Sequence, residues 1–336
     1  MNELEKYYTY DLDKIVREVR SINARKVLIQ LPDGFKHYSI KLLEELTNTL
    51  RDVEFVVDAN PTYGSCILNT NLISQYDLTI HFGHEPYPYG YDVEIPRKVL
   101  FADFLSTLTL NKELINRLIT LLKSLNINKV AIYTVHQHKK NLGRLKEELR
   151  DASIKILNNL DNAVVMGCWF NDVLRHVDVA DGYVVVAGGL FHPLGVGIVT
   201  KGLKHVVQVD PYRGEVRLLD DVVWKYLRIR YSKVMEASNA ATWCLVHGVE
   251  GQFRSRVREE LINALRARGL KYFEYRSSTI NQETLRNIDS KDVEAYVITA
   301  CPRIPIDDLQ DFEKPVLTPG EAFMILKSIS DYIFPW

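Results

Sequence analysis

KVLIQLPDG, residues 26–34, is the stretch on which the fold turns. A short run of β-branched and aliphatic residues ends at Pro32-Asp33-Gly34, and an amphipathic stretch follows at 35–50 with Ile40, Leu43, Leu46 and Leu50 on its apolar face. Proline and glycine are turn residues, and the change from a strand-like run to helical spacing across them marks a strand, a turn and a helix. That order opens a parallel α/β unit.

Working outward, strands are expected at 53–58, 78–82 and 98–102, with Cys66 in the loop between the first two. A linking helix at 112–125 then leads to KVAIYT (129–134) and a helix at 140–152. A strand ending near Met166 runs into Gly167-Cys168, and strands at 182–187 and 205–209 flank a glycine-rich turn and a short helix. After a helix at 220–237 the order returns once more. It runs through a strand at 242–247, a helix at 252–267, strands at 271–275, 295–299 and 315–317, and a helix from 319. The expected fold is α/β, with three similar parallel-sheet domains (1–108, 109–215 and 216–336) around a central site. The triplication rests on element order, because residue identity between the units is weak.

The chain of 336 residues is 46% hydrophobic and 25% charged, with a net charge of -1. Such a balance supplies no broad electrostatic drive toward nucleic acid or anionic membranes. The opening MNELEKYYTYDLDK is charged and lacks the apolar centre of a signal peptide. No stretch approaches the roughly 18–20 apolar residues that span a bilayer. A cytoplasmic protein without direct nucleic-acid or membrane partners is the expectation.

Four cysteines in so long a chain do not make a disulfide framework. Three of them fall at or just beyond strand ends, where open parallel sheets bind ligands. They are Cys66 in NPTYGSC, Cys168 in VVMGCWF and Cys301 in VITACPR, preceded by the small residues Gly64-Ser65, Gly167 and Ala300. Spacings of 102 and 133 residues exclude a local CxxC knuckle. One thiolate from each unit supplies three soft ligands and leaves a position open, which suits an iron–sulfur cluster or a catalytic zinc. An isolated cysteine is ordinarily a small buried hydrophobe, and Cys244, mid-strand in ATWCLVH, reads that way.

The chain resembles the archaeal-type enzymes of the first step of diphthamide biosynthesis, an atypical radical S-adenosylmethionine family that makes 2-(3-amino-3-carboxypropyl)histidine. The resemblance is carried in order by QLPDG, ANPTYGSC, HFGHEPYP, Gly167-Cys168 ahead of Trp169, VDPY (209–212), GVEGQ (248–252), TACPRIPIDD (299–308) and PVLTPGE (315–321). It implies three similar α/β domains, each giving one cysteine (Cys66, Cys168, Cys301) to a [4Fe–4S] cluster. It further implies cleavage of S-adenosylmethionine to a 3-amino-3-carboxypropyl radical and methylthioadenosine. The radical is then transferred to a histidine of translation elongation factor 2. A homodimer and an electron donor complete the implied assembly. This chain departs from the family at Ile67, where an acidic residue is common, and in His247–Gln252, where threonine and lysine usually precede the Gly-Gln pair.

Substrate-holding candidates are fewer. The loop with Gly248, Gly251 and Gln252 runs toward a helix N-terminus, whose free N–H groups favour a carboxylate; an ordinary turn is the competing reading. Arg228 and Arg230 are candidates for the methionine carboxylate, with a solvated helix face as the alternative for each. His84, with His81, follows a strand end and is a candidate to approach the pocket or the incoming protein, with a structural hydrogen-bonding role as the alternative. Asp307 and Asp308 read as turn carboxylates near Cys301. Alternatives to the diphthamide reading are a quinolinate-synthase-like [4Fe–4S] dehydratase, a zinc or structural metal-binding protein, and a non-catalytic partner subunit.

Overall fold

The computed structural model describes residues 6–91 and 98–336. The chain divides into two compact units: residues 1–109 with 136–141, and residues 110–135 with 142–336. Among the described residues no helix is long and apolar enough to cross a membrane.

In the first unit β1 (Tyr8–Thr9) is followed by the strands β2 (Lys26–Gln30), β3 (Glu54–Val57), β4 (Leu78–Phe82), β5 (Lys98–Ala102) and β6 (Leu105–Ser106). β2 to β5 form one parallel sheet in the order β3-β2-β4-β5, and β1 pairs antiparallel with β6. All five residues of β4, and all of β2 after Lys26, are buried. Strands that are buried on both faces read as unbroken apolar runs, as KVLIQL does. One sequence expectation is corrected here. Asp33–Tyr38 form a 3₁₀ turn, and the α-helix begins only at Ser39. On that helix Leu46 and Leu50 are buried as expected, Leu43 is partly buried and Leu42 joins the core, while Ile40 is 68% exposed.

The second unit carries two sheets. The first holds β7 (Lys129–Thr134), β8 (Lys155–Ile156), β9 (Gly182–Val186), β10 (His205–Asp210) and β11 (Glu215–Leu218), in the order β11-β10-β9-β7-β8. Only β11 is antiparallel to its neighbour. The second holds β12 (Thr242–His247), β13 (Lys271–Arg276), β14 (Ala295–Ile298) and β15 (Val316–Leu317), all parallel, in the order β13-β12-β14-β15. All three sheets therefore place their second strand outside the first, and the third on its other side.

Amphipathic helices cover these sheets, among them Lys112–Ser124, Leu142–Asp151 and Ser255–Ala267, with Leu114, Leu118, Leu145, Leu261 and Leu265 turned inward. Helix Phe191–Val199 is buried along most of its length and depends on small residues. A side chain at Gly195 would stand 2.6 Å from the Phe170 ring, and one at Gly197 would stand 2.2 Å from Val223. The strand expected before Cys168 is reduced to a single parallel bridge, Thr134 to Val164.

Candidate functional site

The cysteines sort by position on their strands. Cys66, Cys168 and Cys301 form no disulfide and are half-buried, whereas Cys244 is fully buried inside β12. Burial pushes the Cys244 thiol up to about 12, the behaviour of an inert packing residue. Placement of the other three is not fully equivalent. Cys66 and Cys168 follow the second strand of their sheets, while Cys301 follows the third. Among the described residues no three His, Cys, Asp or Glu side chains could hold a metal ion together.

In the first unit Cys66 lies in a turn closed by the Ile67 N–H donating to the Gly64 carbonyl at 3.1 Å. The Tyr91 hydroxyl donates to the carbonyl of Ser65, and burial together with the neighbouring Cys66 raises its pKa. At the ends of β2 and β4 a buried chain of hydrogen bonds begins at Asp58. Gln30 donates its amide to Asp58 at 3.0 Å, so its carbonyl oxygen faces His81 Nδ1, also at 3.0 Å. His81 Nδ1 therefore carries the proton, and His81 Nε2 accepts from His84 Nδ1 at 2.9 Å. Burial, then the neighbouring His84, drives the His81 pKa well below its ordinary value. His84 is thus oriented by a line of groups reaching back to Asp58, and sequence alone showed only the HxxH spacing.

In the second unit the Cys168 and Cys301 loops are neighbours through one ring. Gly167 has no side chain because a Cβ there would lie 2.0 Å from the Phe191 ring. The Arg303 guanidinium, two residues past Cys301, stands 5.7 Å from the centre of that same ring. Arg303 also pairs with Asp307 at 3.5 Å and Asp308 at 3.9 Å, so both carboxylates serve to hold the loop after Cys301. Burial, then Arg303, lowers the neighbouring His192 to about 4. Cys168 itself is raised by burial and drawn partly back by Arg254, which hydrogen-bonds it. Arg254, Phe191, Arg303 and Trp336 are the residues that sequence reading missed. Of these only Arg303 lies in a quoted motif, TACPRIPIDD, and it was given no role there.

The candidate substrate loop lies beside Cys301. A Cβ on Gly248 would stand 2.6 Å from Gln252 Cβ and 3.0 Å from Ala300 Cβ, so the glycine lets this turn press against the residue before Cys301. Gly251 and Gln252 are buried in a 3₁₀ turn (Glu250–Gln252), and the α-helix begins later, at Ser255. Arg228 is exposed and donates to the Trp224 carbonyl at 3.2 Å. Arg230 requires correction on both of its readings. It is fully buried, binds both oxygens of Glu321 (2.8 and 2.6 Å) and donates to the carbonyls of Pro305 and Val316. A guanidinium satisfied on this many sides is neither a solvated face nor open to a substrate carboxylate.

Against this geometry, the chain matches the diphthamide synthesis protein family over residues 31–333. The 2-(3-amino-3-carboxypropyl)histidine synthase of Pyrococcus horikoshii is 28% identical, covering 96% of this chain and 91% of its own length. The synthase of Methanocaldococcus jannaschii is 26% identical over 97% of this chain and 92% of its own. Among solved structures, Dph2 from Pyrococcus horikoshii with a 4Fe-4S cluster superposes with a TM-score of 0.81 at 25% identity, covering 98% of this chain and 94% of that one.

Proposed function

The chain belongs to the diphthamide synthesis protein family and is a transferase of its archaeal type, and on that premise we propose that Cys66, Cys168 and Cys301 hold a [4Fe–4S] cluster used to cleave S-adenosylmethionine. The 3-amino-3-carboxypropyl group goes to a histidine of translation elongation factor 2. The same reading takes the three sheets as repeats of one unit, the working form as a homodimer in the cytoplasm, and the reductant as a separate electron donor.

The donor set suits the group. Three thiols in half-buried loops, outside any disulfide, are soft ligands, and each sits after a strand rather than inside one. The observation that carries the reading is Phe191, packed at once against Gly167 and Arg303, which makes neighbours of two cysteine loops 133 residues apart in sequence. When bound, the cluster supplies the electron that opens the sulfonium's carbon–sulfur bond and so yields methylthioadenosine.

The chain's own residues place the substrate. Gly248 brings the Gly248–Gln252 turn against Ala300, so a substrate resting on that turn is held near Cys301. The His81–His84 pair orients a ring at the carboxyl edge of the first sheet, where His84 is suited to meet substrate. Anaerobic, reduced protein given S-adenosylmethionine should release methylthioadenosine and label elongation factor 2. Release of neither product from cluster-loaded protein would move the chain to the dehydratase or to the non-catalytic partner.

A further inference from the structure

Cys168 sits in a turn closed by the Trp169 N–H donating to the Met166 carbonyl at 3.0 Å. The segment 332–336 packs against this region as a strap fixed at three points. The Tyr332 hydroxyl donates to Glu321 at 2.6 Å, the same carboxylate that Arg230 clamps. The Gly320 N–H donates to the Pro335 carbonyl at 3.0 Å, an approach that needs glycine because a Cβ would lie 2.5 Å from the Ile333 oxygen. The Phe334 ring packs 5.8 Å from that of Phe170, two residues beyond Cys168. The strap thereby delivers Trp336, whose ring lies 3.3 Å from the Arg254 guanidinium, and Arg254 hydrogen-bonds the Cys168 sulfur.

We propose that Arg254, held flat by Trp336, is a positioning residue for the group bound at Cys168: it donates to the thiolate and sets how readily that group accepts an electron. The inference rests on Cys168 being a cluster ligand. A cationic donor draws negative charge off the sulfur and favours the reduced, more negative state, so it raises the reduction potential. Arginine suits the post because its planar fork stacks on an indole face while donating in its own plane. Lysine keeps the charge and loses the stack. The buried Arg230–Glu321–Tyr332 group acts on this site only by anchoring the strap.

The test is a redox titration of the anaerobically reconstituted full chain, followed by electron paramagnetic resonance, with iron and sulfide counted in every sample. In Arg254→Ala the ratio of reduced to oxidised cluster at a fixed potential should fall about tenfold, equivalent to 59 mV for a one-electron couple. Trp336→Ala should move the same way by less, Arg254→Lys should recover part of the loss, and Trp336→Phe should stay near wild type. An unchanged potential in Arg254→Ala with its iron intact overturns the inference. Should Arg254→Ala fail to load, Arg254→Lys and Trp336→Ala decide it, and wild-type potentials in both overturn it. The underlying cluster reading fails separately, if wild type and Cys168→Ala contain equal iron.

Discussion

The Cys168 and Cys301 loops differ in almost everything that supports them. Cys168 follows a segment with a single strand bridge, and its turn is wedged by Phe191, Phe170, Phe334 and Arg254. Cys301 follows a true strand, β14, and the residue two before it, Thr299, is tied to buried His247 at 2.8 Å. His247 in turn meets Glu274 at 3.1 Å, and Glu274 pairs with Arg258. One loop is held by aromatic packing and the other by a polar chain. Two supports of unlike chemistry leave the same product, a half-buried thiol beyond the strands. What is shared is therefore the exit from the sheet, and the means of holding it is free to vary.

The harshest way to break this comparison is to remove the sulfurs themselves. Cys168→Ala and Cys301→Ala should each cost the protein nearly all of its cluster iron and sulfide, and Cys66→Ala should do likewise. Cys244→Ala should keep it, since that thiol lies inside β12 with no exposed surface. Iron and sulfide analysis of the four variants, reconstituted side by side, checks this. Retention of iron in Cys301→Ala would detach that loop from the site and end the parallel.

A milder change sharpens the aromatic side. Gly167→Ala puts a methyl group where the Phe191 ring now stands, and the ring must swing away from both cysteine loops. Overpacking of this kind costs about 1–3 kcal/mol. Urea unfolding of the iron-free protein should show that loss, and reconstitution should give a partly loaded cluster. Full loading with unchanged stability would mean that the Phe191 wedge is incidental.

The sequence made the exits legible and hid most of the supports. Runs such as KVLIQL and TWCLVH, buried on both faces, announced the parallel sheets correctly. The face of helix Ser39–Thr49 was read correctly at Leu46 and Leu50 and misread at Ile40, which is exposed while Leu42 is buried. The strand before Cys168 looked apolar enough, but only one residue of it bridges to β7. Arg230 was misjudged because Glu321, its partner, lies 91 residues further on. Arg254 went unseen for the same reason, with Cys168 86 residues before it and Trp336 82 residues after it. Local pattern reports which face of an element is apolar; long-range polar pairing leaves no periodic trace.

The smallest expected effect lies on the polar side. Thr299→Val keeps the shape of the β14 end and removes only the hydroxyl that meets His247 Nδ1. Burial already holds His247 below its ordinary pKa despite the pull of Glu274, so the ring is neutral near pH 7 and one of its nitrogens must find a new partner. Because Glu274 still engages the other nitrogen, the cost should be about 1 kcal/mol, that of a single hydrogen bond. The strand pairing of Val246 with Ile298 is untouched, so Cys301 should keep its place and its iron. Urea unfolding beside iron analysis separates the two effects. A small stability loss with full iron would show that the polar chain trims the loop, whereas loss of iron as complete as in Cys301→Ala would make His247 as indispensable to its cysteine as the aromatic wedge is to Cys168.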